Sequence, residues 1–368
     1  MAHELQARYS ALVLAKLRKE LVLKDGVVFN NDYEGSPKSG SVKIPVRDTE
    51  VQVSDYDKAN GITGTTGSTG YETMMITKDK AVNEIIDGYD AQAVPDDLVA
   101  DRLDSAGYSL AAQVDTDGGT TLLAGATVTG VESLTSQNIY SQIVLIRTAM
   151  TKAKIPASNR YLLVTPDTMS LILTSPEFIS ASSLGDEVKQ TGAVGKIAGF
   201  LVIEWNDDTA NLAMLAGHPR FATRAMEFSV PVHLQDLAGS GKYIGASAVQ
   251  GRDVYDHKVL RSVAIRAIFA PAYLALTKGV GTSTAGDTKI TATVLTAGDT
   301  LAYKKNPSSR CAYGTASTVY SGTSMTSGTA KVISSCSVGD IIETVEFDSD
   351  GKAVAVGYTT LTADDIKA

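Results

Sequence analysis

The sequence predicts an α+β chain closed by a separate all-β sandwich. Three observations carry that. Tyr161 to Trp205 reads strand, capped helix, glycine-broken loop, strand: YLLVTPDTMSLILTSPEF, SASSLGDEVKQTGAVGK, IAGFLVIEW. Two stretches, starting near Pro95 and Ser136, repeat apolar residues at helical spacing, while the segments around them read as strands. Near Lys278 helical periodicity stops, and Ser, Thr and Gly supply 25 of the 49 residues from Gly281 to Thr329.

In chain order, residues 4–23 predict an amphipathic helix with Leu5, Tyr9, Leu12, Val13 and Leu17 on one face, closed by Asp25-Gly26. Val27 to Phe29, Val42 to Val46 and the alternating Val51 to Val53 predict strands, followed by a loop from Asp55 to Gly70 rich in glycine and threonine. A long strand follows from Tyr71 towards Ile86. Two extended segments joined by such a tip form a β-arm, whose open edges invite pairing with another chain. Pro95-Asp96-Asp97 starts a helix with Val99, Leu103, Ala106, Leu110 and Val114 on one face, ending near Asp117-Gly118-Gly119. A second helix spans Ser136 to Lys154, with Ile139, Ile143, Ile146 and Met150 facing inward. Thr165-Pro166-Asp167 caps a third, which Ser175-Pro176 stops. Further strands are expected at Phe200 to Ile203, Leu212 to Leu215, Met226 to His233 and, as one long element, Val259 to Phe269. In the sandwich, strands are expected at Ile290 to Leu295, Thr300 to Tyr303, Ala330 to Ser334, Ile341 to Phe347 and Ala353 to Tyr358.

Composition excludes several classes. The balance is acidic, 41 Asp+Glu against 33 Lys+Arg, which argues against a chain that grips nucleic acid through a basic face. Two cysteines, Cys311 and Cys336, make no disulfide framework in 368 residues. No apolar run is long enough to cross a membrane, and the first residues lack a signal-peptide core. A cytoplasmic site of synthesis is expected.

No catalytic constellation is found, so no enzyme, cofactor or metal is expected. His3, His218, His233 and His257 stand apart from other ligand-type residues; His218 reads as a turn residue, and His257 with Asp253 and Asp256 as a solvated turn. GAVGK (192–196) and GSGK (239–242) are not phosphate loops. Gln190 and Asp236 stand where the leading glycine is needed, and Ile197 and Tyr243 where the hydroxyl is needed. Asp348-Ser349-Asp350-Gly351 opens like a calcium loop but lacks the later glutamate, and reads as a hairpin turn.

The order of N-terminal helix, β-arm with Gly/Thr tip, long helix, LLVTPDTMSLIL and GKIAGFLVIEW block, and closing strand KVLRSVAIRAIFA resembles a tailed-phage major capsid protein of the Hong Kong 97 fold. The resemblance implies an N-arm (1–26), an extended β-loop (27–80), a peripheral domain with its spine helix (81–134 and 251–278) and an axial domain (135–250). A sandwich (281–368) would be added that resembles the immunoglobulin-like domains on some capsid exteriors. It implies self-assembly into pentamers and hexamers of an icosahedral shell around double-stranded DNA. Portal and separate scaffolding or cement proteins would be partners, with only weak, non-specific DNA contact and no membrane. The chain would be assembled in the host bacterial cytoplasm and reside in the virion. Subunit contacts are expected at Leu5, Tyr9, Leu12, Tyr56, Lys58, Gly61, Thr65, Gly70, Tyr71, Leu184, Lys189 and Lys196. Some relatives cross-link a loop lysine to a neighbour's asparagine; nothing singles out Lys43 or Lys58, so non-covalent locking is expected. The alternatives are a surface adhesin built on the sandwich and a bacterial nanocompartment shell protein.

Overall fold

Between Ser41 and Asp87 the extended segments on either side of the Gly/Thr-rich loop become three strands, β1 (Ser41–Val46), β2 (Gly70–Met75) and β3 (Lys78–Asp87). The computed structural model describes residues 16, 18–33, 40–46, 50, 51, 53–62, 64, 67, 69–93, 98–179 and 195–368. Two units emerge, residues 1–125 with 219–261 and residues 126–218 with 262–368.

In the first unit, β3 leads into α1 (Gly88–Ala93) and the 28-residue α2 (Leu98–Gly125). After five strands of the second unit the chain returns as β9 (Ala222–Asp236) and β10 (Ala246–Val259), and the sheet order is β3-β10-β9, all antiparallel. Ala106, Leu110 and Val114 of α2 are buried, and Val99 and Leu103 pack with Val82, Ile86, Val232 and Val249 of the sheet. β9 and β10 therefore belong with α2, whereas the sequence reading grouped residues 219–250 with 135–218.

Several expectations fail in this unit, among them the single strand from Tyr71 towards Ile86, which is broken between Met75 and Lys78. Of the helix expected over residues 4–23, residues 16 and 18–23 are not helical; positions 4–15 and 17 lie outside the described residues. Here the backbone spends its hydrogen bonds on α2. The Leu23 N–H donates to Asp115 Oδ1 (2.9 Å) and the Tyr108 hydroxyl donates to the Lys19 carbonyl (3.0 Å), while Val22 and Leu23 are buried. Val27 to Phe29 is a turn rather than a strand, with the Gly26 N–H donating to the Phe29 carbonyl and the Val28 N–H to that of Lys24. Val51 and Val53 lie in no strand. Gly118 and Gly119 do not end α2. A Cβ on Gly118 would lie 3.1 Å from the Phe29 ring and 3.2 Å from His257 Nε2, so this glycine serves close packing inside the helix.

β10 escaped the sequence reading because its apolar positions are interrupted by Arg252, Asp253, Asp256 and Lys258. It also removes the solvated turn expected at His257, for Asp256 and His257 are buried in mid-strand. The long strand expected from Val259 to Phe269 is two, since β10 ends at Val259 and a 3₁₀ turn (Ser262–Ala264) precedes the next strand.

In the second unit, β4 (Thr127–Gly130) and α3 (Ile139–Lys152) precede β5 (Arg160–Val164), α4 (Pro166–Leu173) and α5 (Pro176–Ile179). Then come β6 (Lys196–Ile197), β7 (Phe200–Glu204), β8 (Leu212–Gly217) and β11 (Arg266–Phe269). They form a six-stranded sheet in the order β4-β11-β8-β5-β7-β6. β5 and β8 are buried along their whole length, which is why both read as unbroken apolar runs. Ile139, Ile143, Ile146 and Met150 of α3 are buried as their spacing predicts. Thr165 takes the extended N-cap conformation ahead of Pro166, but its hydroxyl bonds Thr168 Oγ1 and the Ala213 carbonyl rather than the helix N–H groups.

The chain then enters β12 (Ala272–Tyr273), β13 (Leu276–Val280), β14 (Thr288–Ala292), β15 (Thr300–Lys305), α6 (Ser317–Tyr320), β16 (Thr323–Met325), β17 (Lys331–Ile333), β18 (Ile341–Phe347) and β19 (Ala353–Thr360). A five-stranded sheet, β12-β19-β18-β15-β16, faces a three-stranded one, β13-β14-β17. Ala292 of the small sheet packs with Leu301, Met325 and Ala355 of the large one, and Ile290 and Ile333 pack with Ile342. This sandwich starts at Ala272, ahead of residue 281. Cys311 and Cys336 are buried free thiols in different core clusters, and burial pushes both up, Cys311 to about 11. The expected turn at Asp348 forms, with the Gly351 N–H donating to the Asp348 carbonyl and the Asp350 and Lys352 N–H groups to its side chain.

Candidate assembly interface

The first unit projects a hairpin. β1 and β2 pair antiparallel from Ser41↔Met75 to Val46↔Gly70. At its base one face is apolar and buried: Ile44 and Met74 pack against Ala225 of β9, with Val42, Tyr33, Ile76 and Leu260 beside them. Polar contacts fix the same base. Lys258 Nζ lies 3.0 Å from Glu72 Oε1 and donates to the Thr73 carbonyl at 2.7 Å. The Thr77 N–H and hydroxyl both donate to Asp256 Oδ2 (3.0 and 2.8 Å), and the Gly40 N–H donates to Glu227 Oε1 (2.8 Å). Hydrogen bonds to charged groups are the stronger kind, so the neck of the arm is a fixed platform.

Beyond the neck the chemistry inverts. Val51, Val53, Tyr56, Ile62 and Tyr71 are exposed, Val53 by 98%, while Met75 is exposed on the outer face of the neck itself. Among the described residues of the tip, Asp57 accepts from the Ala59 N–H (2.9 Å) and from Asn60 Nδ2 (2.6 Å), and these donors hold its carboxyl below the usual range. Gly61 closes that turn at φ +72°, its N–H donating to the Asp57 carbonyl. A set of large apolar side chains carried on an anchored hairpin marks a surface that another protein chain covers.

Of the expected contact residues, the structure brings Tyr56, Lys58 and Gly61 together in this exposed turn, and Gly70 and Tyr71 at the outer end of β2. Lys196 is exposed at the start of β6 in the second unit, paired with Leu201. Leu5, Tyr9, Leu12, Thr65, Leu184 and Lys189 lie outside the described residues. The sequence reading missed Val51, Val53, Ile62 and Met75, although valines alternating beside a Gly/Thr-rich loop were a readable signal of an exposed extended segment. Nothing in the sequence pointed to Lys258, Asp256 and Glu227 as anchors, because their partners lie far away in the chain. Among the described residues no group of three or more His, Cys, Asp or Glu side chains could hold a metal.

The family model described as phage capsid protein matches residues 84–279, just over half of the chain. A structure from Mycobacterium phage Che8 is similar at 20% identity and a TM-score of 0.61, covering 72% of this chain and 96% of that one. The capsid of cyanophage P-SCSP1u is similar at 14% identity and 0.60, covering 72% and 92%. The capsid of a native GTA particle is similar at 14% identity and 0.52, covering 73% and 96%. A search of curated proteins gives no match. The structural likenesses establish the Hong Kong 97-like capsid fold. With the family model spanning more than half of its residues, the chain belongs to the phage capsid protein family.

Proposed function

We propose that this chain is the major head protein of a tailed phage and closes an icosahedral shell from pentamers and hexamers of itself, with the β1–β2 arm lying across a neighbouring copy. The observation that carries the reading is the arm: its base is buried and hydrogen-bonded, and its outer part holds Val51, Val53, Tyr56 and Ile62 exposed. Covering such side chains stabilises by about 1.5–3 kcal/mol each when burial is complete, so repetition around a capsomer supplies a substantial association energy. Residues 1–26 act as the N-arm, and residues 180–196, with Leu184, Lys189 and Lys196, face other copies near the capsomer centre. The first unit takes the peripheral role and the six-stranded sheet the axial one. The sandwich is an immunoglobulin-like module on the outer surface. Locking is non-covalent. Portal and separate scaffolding or cement proteins complete the head, which forms in the host cytoplasm. The net charge of −8 suits a shell whose contact with entering DNA is weak and non-specific.

The test is electron microscopy of the purified chain alongside a variant lacking residues 59–70. Closed shells or capsomers are expected from the full chain, with assembly lost and the subunit still folded in the variant. A strictly monomeric full chain across all conditions would overturn the capsid reading; shells of normal yield from the variant would remove the role given to the arm.

A further inference from the structure

We infer that the C-terminal sandwich is locked to the six-stranded sheet as one body, through a backbone contact between Tyr313 and the end of β4, and is not hung from it by a tether. Two separate junctions make the case. At the first, β11 ends at Phe269 and only Ala270 and Pro271 precede β12, which pairs parallel with β19. The Ala270 N–H donates to the Asn211 carbonyl (3.0 Å) on the sheet side, and the Leu274 N–H donates to the Val356 carbonyl (3.1 Å) on the sandwich side. Leu274 is fully buried. Gly357 makes room for this crossing, since a Cβ there would lie 2.1 Å from the Leu274 carbonyl oxygen.

The second junction lies some forty residues further along the chain. The Tyr313 N–H donates to the Val131 carbonyl (3.0 Å), just beyond edge strand β4, and the Tyr313 ring stacks on Phe269 with centroids 5.3 Å apart and planes at 21°. Gly130 sits directly beneath, and a Cβ there would lie 2.0 Å from the Tyr313 carbonyl oxygen. A flexible linker is polar, exposed and free of backbone partners. This crossing has the opposite character, and a second attachment distant in sequence removes the freedom that one hinge would leave. It follows that whatever the sandwich touches is met at an orientation set by the sheet, and that one end of the β4 edge is occupied from within the chain.

The inference rests on contacts inside the second unit and not on shell assembly, so it can be tested on unassembled protein. Amide hydrogen exchange of the full chain reads the Tyr313 and Leu274 amides against the exposed turn at Gly239. Both are expected to exchange at least about tenfold slower than Gly239. In Gly130→Val, Tyr313 is expected to lose that protection while Leu162 and Leu163 in β5 keep theirs; Tyr313→Ala, which keeps the backbone bond but loses the ring stack, is expected to lose part of it. If Gly130→Val unfolds the sheet, shown by lost protection at Leu162, the wild-type and Tyr313→Ala measurements decide. A wild-type Tyr313 amide exchanging like Gly239, a folded Gly130→Val with Tyr313 still protected, or proteolysis that frees residues 272–368 from native protein would each overturn the inference.

Discussion

The Tyr255 hydroxyl donates to Asp117 Oδ2 at 2.9 Å, joining the central strand β10 to helix α2 in the interior of the first unit. Lys78 Nζ lies 3.2 Å from the other carboxylate oxygen, so three elements meet on one side chain. Burial pushes the Asp117 carboxyl up, but the bonds from Tyr255 and Lys78 outweigh it and the net shift is downward. Tyr255→Phe removes the donor and leaves the oxygen in a half-buried site. A loss of about 1–2 kcal/mol is expected from the shift in urea midpoint. An unchanged midpoint would show that water replaces the hydroxyl without cost.

Two glycines of α2 predict opposite outcomes for the same substitution. Around Gly107 a Cβ meets nothing within 4 Å, so Gly107→Ala gains helix propensity and is expected to stabilise by up to about 1 kcal/mol. At Gly125 a Cβ would lie 2.6 Å from Val259 Cβ, and Gly125→Ala is expected to destabilise by about 1–3 kcal/mol. Melting temperatures that move in the same direction for both would refute the steric argument.

Legibility in the sequence followed how local each cause was. α3, β5 and β8 were readable because their apolar periodicity or continuity is a property of neighbouring residues, and α4 because Thr165-Pro166 marks its start. β10 was not, since its charged residues are satisfied from afar: Arg252 by Asp79, Asp256 by Thr77, Lys258 by Glu72. Gly118 looked like a helix stop and is instead a packing site for Phe29 and His257, two residues that no local pattern connects to it. The arm was legible as an extended excursion with a glycine tip, but the buried face of its neck depends on Ala225 and Leu260 and could not be read locally.

Arg160 is a buried cation that serves the end of a helix. It is 2% exposed, and its guanidinium donates to the carbonyls of Ile155 (2.6 Å), Pro156 (2.7 Å) and Arg147 (3.3 Å) and to Thr151 Oγ1 (3.1 Å). These acceptors cluster where α3 ends, where carbonyls lack helical partners and the dipole favours positive charge. Arg160→Met leaves several of them buried and unpaired, and a loss of about 2–4 kcal/mol is expected in chemical denaturation. Arg160→Lys, a point donor in place of a fork, should recover only part of it. Full recovery by lysine would mean that charge alone matters here.

His257 sets a pH dependence whose sign follows from its surroundings. Its ring packs 4.9 Å from that of Phe29 and 5.6 Å from that of Tyr255, and neither ring nitrogen has a hydrogen-bond partner. Burial first, then Arg224 and Lys78, push the imidazole down to about 4, against the opposing pull of Asp256 and Asp117. The unfolded chain, with an ordinary imidazole near pH 6.5, therefore binds the proton before the folded one does. The contribution of neutral His257 is complete above about pH 6.5 and is lost as pH falls towards 4, by up to about 3 kcal/mol. Carboxylates such as Asp117 add their own acid dependence below that window, so the comparison must be with His257→Leu. Denaturant midpoints of wild type are expected to fall more steeply than those of the variant between pH 6.5 and 4, and parallel curves would show that the imidazole is not buried neutral between Phe29 and α2.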